Sequence, residues 1–169
     1  ISMNSQNVAG LRPKSWLAFL NHAVTLVGDI KYQRSINKLI KNNDYLTACE
    51  LIKQQLGRAN FVDLLQNEFH TPGFIPSEVH KTIFTLDARI VITPNFDNIY
   101  DRFALQETAG TVIIKKFYEP DVAETIRLNR RLIIKNHGSI EDPNHLIFSR
   151  KDYSKARTEN RAFYEILDS

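Results

Sequence analysis

Apolar residues in the first half of the chain recur at helical spacing. Trp16, Leu17, Leu20, Ala23, Val24 and Val27 share one side of a helix predicted over residues 16–27, with Ser15 placed to cap it and Gly28-Asp29 to end it. A second amphipathic segment covers residues 33–41. Asn43 or Asp44 then caps a third, in which Tyr45, Ala48, Cys49, Ile52 and Leu56 fall on one face and Gly57 supplies the stop. Residues 58–69 repeat the pattern with Phe61, Leu64, Leu65 and Phe69 before the Thr71-Pro72-Gly73 turn, and Ser77, preceded by Pro76, opens a helix reaching Leu86.

Beyond Leu86 the period changes. Short β-branched runs alternate with short amphipathic ones, predicting strands at 89–93, 111–115, 131–135 and 145–148 and helices at 98–105, 121–128 and 152–167. This is βαβ alternation, which builds a parallel sheet. The fold class expected is α/β: a Rossmann-like parallel sheet with a helical cap, residues 14–86 forming the helical part and 87–169 the sheet part of one domain spanning 1–169. A chain of 169 residues suits one sizeable core and leaves little for a second.

Composition narrows the function classes. The hydrophobic fraction of 43% and charged fraction of 24% are those of a globular protein. The net charge of +3 is carried by doublets such as Lys115-Lys116, Arg130-Arg131 and Arg150-Lys151, with no long basic run, so neither nucleic acid nor an anionic membrane is expected as a partner. The lone Cys49 sits in an apolar-periodic segment and has no partner for a disulfide or a cysteine-rich zinc site, which places it in the core. No stretch approaches a membrane span and no signal-peptide pattern opens the chain, so a cytoplasmic location is expected; the start at Ile1 leaves a preceding segment open.

Two polar clusters end β-branched runs. Ile90-Val91-Ile92 stops at Thr93-Pro94-Asn95-Phe96-Asp97, and Leu132-Ile133-Ile134 stops at Lys135-Asn136-His137-Gly138. Taken alone, Asn95 and Asp97 read as caps for the next helix, and a His before a turn glycine reads as a polar strand end. Taken together on neighbouring parallel strands, they meet in the crevice at the carboxyl edge of the sheet, where α/β folds bind ligands. An imidazole there can move a proton near neutral pH. His22, His70, His80 and His145 have no metal-ligand spacing and read as structural; Trp16 and Phe19 read as core, with Trp16 also able to wall a ligand.

At these residues the chain resembles the sirtuins. Thr93-Pro94-Asn95-Phe96-Asp97 resembles their Gln-Asn-hydrophobic-Asp signature and Asn136-His137-Gly138-Ser139 their His-Gly motif. Three further stretches resemble the sirtuin-like NAD-hydrolase domains of bacterial anti-phage defence proteins. These are Val8 through Trp16, the Tyr45 to Leu56 helix, and Ser139-Ile140-Glu141-Asp142-Pro143 with Arg150-Lys151-Asp152-Tyr153. The resemblance implies NAD as substrate, cleavage of the nicotinamide–ribose bond, Asn95 and His137 as catalytic residues, and Ser2, Phe96, Asp97 and Gly138 as dinucleotide-binding residues. By this analogy Asp97 accepts from the nicotinamide carboxamide, Asn95 holds a ribose hydroxyl or the attacking water, His137 is the general base, and Ser2 lies beside the diphosphate. It further implies that Ile1-Ser2 end a Gly-Ala-Gly-hydrophobic-Ser loop whose strand precedes this segment, that the helical cap follows that first strand, and that another strand lies beyond Ser169. Protein-deacylating sirtuins carry four zinc-binding cysteines soon after the His-Gly motif; none stands there here, which implies a metal-free NAD hydrolase acting with a sensor domain or partner and as a homo-oligomer.

Two alternatives stay open on the residues alone. One is a module that binds NAD or ADP-ribose without turnover. The other is a metal-dependent nuclease suggested by Glu119-Pro120-Asp121 and the basic pI of 9.0, against which Ile133 occupies the place before Lys135 where a metal-sharing acid is needed.

Overall fold

A computed structural model describes residues 2–168. After a 3-10 turn at Ser2–Asn4, five α-helices come first among the described residues: α1 (Trp16–Thr25), α2 (Ile30–Lys41), α3 (Tyr45–Leu56), α4 (Arg58–Leu65) and α5 (Glu78–Thr85). The sheet half follows as β1 (Ile90–Thr93), α6 (Ile99–Glu107), β2 (Ile113–Lys116), α7 (Val122–Thr125), β3 (Leu132–Lys135), α8 (Arg150–Glu159) and α9 (Arg161–Asp168). Caps fall where oxygen-bearing side chains precede apolar runs. Ser15 accepts from Ala18 N, Asp29 from Lys31 N and Asp44 from Thr47 N, each satisfying an amide that the helix start would otherwise leave unpaired.

The sheet is parallel, in the order β1-β3-β2, with Thr93 opposite Lys135 and Lys116 opposite Lys135 on the other side. All four residues of β3 are buried, as expected of a central strand covered on both faces. Leu132 and Ile134 pack with Phe117, Val122, Ala156, Phe163 and Tyr164, from α7 to α9 and the loop after β2; Ile133 turns the other way, to Ala104 of α6 and Val112. The helices of the first half enclose a separate cluster built on Phe19, Leu20, Ile36, Ile52, Phe61 and Leu65. That cluster is completed by Ile140, Leu146 and Phe148 from the loop after β3, with Phe96 packed against it. The helical layer therefore rests on the loops at the carboxyl edge of the sheet. No helix among the described residues is long and apolar enough to cross a membrane.

The mixed α/β fold with a parallel sheet is as expected; several element boundaries are not. Residues 145–148 form no strand. A 3-10 turn covers Pro143–His145, and the following residues run extended with Leu146 and Phe148 in the helical cluster and Ile147 in the sheet cluster. The alternation that suggested a strand comes from straddling two cores, without a ladder partner. The helix expected over 152–167 breaks at Asn160, where backbone and side-chain amides both donate to the Ala156 carbonyl. The one over 121–128 lasts a single turn, because Arg89 draws the carbonyls of Ile126 and Leu128 to its guanidinium. The α4 segment widens after Leu65 into a π turn over Gln66–His70, closed by Thr71 N on the Gln66 carbonyl ahead of Pro72.

Candidate active site

The two strand ends converge because β1 and β3 are neighbours. Pro94 has no amide to continue the β1 ladder, and the Asn136 amide makes the last rung, on the Thr93 carbonyl at 3.1 Å. Asn95 and His137 each lie two residues past their strand. The loops are then stitched together by Ile140 N on the Phe96 carbonyl at 2.7 Å. Between them lies a cavity of about 310 Å3 whose polar lining is Asn95, His137 and Tyr153, with Trp16, Leu46, Pro94, Phe96, Ile147 and Phe148 as the remaining walls. Phe96 is fixed edge-on to Phe69 and Phe148, at 5.1 and 5.0 Å between ring centroids.

Ser2 and Asp97 are not on that wall. They lie next to it, joined through Asn95: Asn95 Nδ2 donates to Ser2 Oγ at 3.0 Å, and Ser2 Oγ donates to Asp97 Oδ2 at 2.6 Å. The other carboxylate oxygen of Asp97 accepts from Ile99 N, the first amide of α6, at 3.0 Å, so Asp97 closes the turn that opens that helix from one position before its N-cap Asn98. Gly138 also stands off the cavity. Its φ of +83° makes the turn after His137, and a Cβ there would sit 2.6 Å from the His145 carbonyl oxygen, so glycine is needed for both conformation and space. Ile1, the other half of the dipeptide assigned to the phosphate loop, lies outside the described residues, as does Ser169.

His137 is half-buried, and desolvation pulls its pKa below the ordinary histidine value, keeping the ring neutral at neutral pH. Its Nε2 lies 2.8 Å from the Tyr153 hydroxyl, and the two rings stand at 89°. Beneath the site, Lys135 is fully buried. Its ammonium meets Asp101 Oδ2 at 2.6 Å and the Asp97 carbonyl, tying α6 and the Asp97 turn to the end of β3. Burial pushes the Asp101 carboxyl up while Lys135 opposes it. Sequence reasoning passed over Tyr153, Lys135 and Asp101. A lysine closing an all-apolar central strand was the available signal for the pair, since such a charge is buried only with a partner. For Tyr153 the available signal was its place in the Arg150-Lys151-Asp152-Tyr153 stretch that carries part of the resemblance.

Residues 89–169 match the family model of the SIR2-like domain. The sheet half of this chain is thus similar to SIR2-like domains. The NAD(+) hydrolase ThsA of Enterococcus faecium is 25% identical over 154 residues, covering 89% of this chain; the chain spans 30% of that protein's length. Asn95, Phe96, His137, Ile147, Phe148 and Tyr153 all fall inside the SIR2-like span, whereas Trp16 and Leu46, which close the cavity from α1 and α3, come from the helices before it.

Several polar residues away from the cavity are engaged in structure. His22 and Lys14 share Glu68, the ring and the carboxylate 2.6 Å apart; His145 meets Asp142 at 2.8 Å; His80 Nδ1 accepts from Ser77 N in the cap of α5. Glu119 and Asp121, the pair behind the nuclease alternative, both fold back onto Lys115 at 3.1 and 2.7 Å. A second cavity of about 440 Å3 lies on the far side of Phe148, between α3, α4 and the start of α8.

Proposed function

We propose that this domain hydrolyses NAD at the nicotinamide–ribose bond, releasing nicotinamide and ADP-ribose, as the effector of a bacterial anti-phage defence system. The observation that carries this reading is the meeting of Asn95 and His137 in one cavity at the ends of adjacent parallel strands. Similarity to the SIR2-like family and to an NAD(+) hydrolase supports it.

In this reading the positively charged nicotinamide leaves without a general acid, unlike the leaving group of an ordinary glycoside. The protein's task is positioning and proton removal. Asn95 orients a ribose hydroxyl or the attacking water, and His137, neutral through burial, takes the proton that water loses. Asp97 receives the nicotinamide carboxamide. Its Oδ2 now accepts the Ser2 hydroxyl, which occupies the place a carboxamide N–H takes when the ring binds. Water attack at the ribose carbon yields ADP-ribose, free nicotinamide and one proton, so the balance needs no further reactant. The enzyme works without zinc, in the cytoplasm, as a homo-oligomer under a sensor that lies in another domain or partner.

The test is an NAD-cleavage assay on the complete parent protein, with its activator where one is required, beside Asn95→Ala and His137→Ala. Each variant is expected to lose about 10²–10⁴-fold in rate, the usual contribution of a general base or a positioned reactant. Calorimetric binding of NAD without consumption by the parent would instead establish a binding module. Elemental analysis finding stoichiometric zinc would overturn the metal-free assignment.

A further inference from the structure

We propose that Tyr153 is a second catalytic group of this site, relaying a proton from a hydroxyl bound in the cavity to the His137 ring. The proposal rests on the NAD-hydrolase reading above.

Three observations bring Tyr153 into the chemistry. Its hydroxyl and His137 Nε2 are 2.8 Å apart, both side chains line the same cavity, and among the described residues no charged one lines it with them. A neutral imidazole offers one N–H and one lone pair, and a phenol gives up a proton far more readily than an imidazole N–H does. In the Tyr153–His137 contact the phenol therefore donates and Nε2 accepts, which puts the ring proton on Nδ1. Desolvation raises the pKa of the Tyr153 hydroxyl, so it stays protonated and able to donate.

The consequence concerns access to the base. An in-plane lone pair accepts one hydrogen bond, and that of Nε2 is already taken. A ribose hydroxyl or water in the cavity reaches the histidine through the phenol oxygen. As the substrate O–H bond breaks, its proton forms a new O–H bond on Tyr153, whose own proton passes to Nε2. Tyrosine ends neutral, the imidazole becomes imidazolium, and the negative charge is left on the substrate oxygen.

The fold holds Tyr153 for this role. It sits in the first turn of α8, next to Asp152, whose carboxylate accepts from Phe148 N and Ser149 N at 3.0 Å each and from Lys53 Nζ of α3 at 2.7 and 2.9 Å. Ser149 Oγ accepts in return from Asp152 N at 3.2 Å. Capping and ion pair together fix the turn against the helical layer, so the phenol is placed before any ligand arrives.

The experiment compares Tyr153→Phe, His137→Ala and the double variant in the complete parent protein. Tyr153→Phe should lower kcat about 10²-fold with KM little changed and the melting temperature retained. Because the two groups act in series, the double variant should be no slower than His137→Ala alone. Nitrogen NMR of histidine-labelled parent protein should find the His137 ring protonated on Nδ1. A Tyr153→Phe enzyme with parental kcat, losses that multiply in the double variant, or a ring protonated on Nε2 would each overturn the relay. If the parent cleaves no NAD, the substrate reading fails, and the tautomer alone then supports or overturns the proton order from Tyr153 to His137.

Discussion

The helical and sheet halves bury different things. Between Trp16 and Thr85 the buried side chains are apolar except for His80, whereas the sheet half buries Asp101, Thr125, Lys135, Ser139 and Ser149 beside its aliphatic residues. Desolvating a polar group costs free energy unless a partner replaces the water, so polar burial is retained where position matters more than packing. Of these, Lys135 and Asp101 meet at the carboxyl end of β3, tied to the Asp97 turn. The first half supplies apolar bulk and two cavity walls, and the second supplies oriented groups.

That contrast can be broken by substitution. The largest stability effect expected in the helical half is Phe19→Ala, which empties a fully buried site contacting Trp16, Phe61 and Phe69 and should cost about 3–5 kcal/mol in denaturant unfolding. In the sheet half the comparable change is polar. Lys135→Met leaves the Asp101 carboxylate buried and uncompensated, with an expected loss of about 3–5 kcal/mol that Lys135→Met/Asp101→Leu largely restores. An unfolding midpoint for Lys135→Met equal to the parent's would show that the pair is not holding the turn.

Gly138→Ala should be milder, about 1–3 kcal/mol, since it places a Cβ against the His145 carbonyl at a left-handed φ. On the proposed NAD-hydrolase reading, the cleavage rate of the complete parent protein carrying this change should fall by more than its stability predicts, because the same turn aims His137; a rate loss no larger than the loss of folded protein would separate the turn from the site.

The smallest effect is on pH. Burial lowers the folded-state pKa of His137, so the unfolded chain takes up this proton first as pH falls. The stability contribution of the neutral ring is therefore complete above about pH 6.5, the unfolded value, and is lost as pH falls through the lower folded value. Melting temperatures across pH 7 to 5 should decline less steeply in His137→Gln than in the parent. For the same reason, on the proposed reading the acid limb of NAD cleavage should lie below the ordinary histidine pKa, and a limb above it would point to a different base.

Much of this contrast was legible in the sequence. Helical periodicity located α1 to α5 to within a few residues, and the β-branched runs located three strands and the adjacency that unites Asn95 with His137. What escaped notice depends on partners distant in the chain. The run from Leu146 to Phe148 alternates like a strand because it lies between two cores, a fact of tertiary packing that periodicity cannot separate from pairing. Tyr153 faces His137 only because Asp152 is anchored to Lys53, 99 residues away in the chain. The reading of Asp97 as a residue that opens the next helix holds, since one of its carboxylate oxygens accepts from Ile99 N while the other accepts from Ser2 Oγ.

The hydrogen bond from Ile147 N to the His137 carbonyl, 3.2 Å long, closes residues 138–146 into a loop whose two ends meet at the site. Closure of this kind separates the length of an excursion from the placement of its ends, and lengthening a surface loop costs only about 0.6 kcal/mol for each doubling. The exposed Glu141 lies near its middle, several residues from both partners of the closing bond. Residues can be added there without re-aiming the histidine. The loop is thus a point of insertion, where a new surface feature can be added beside the candidate site while the geometry of that site stays as it was.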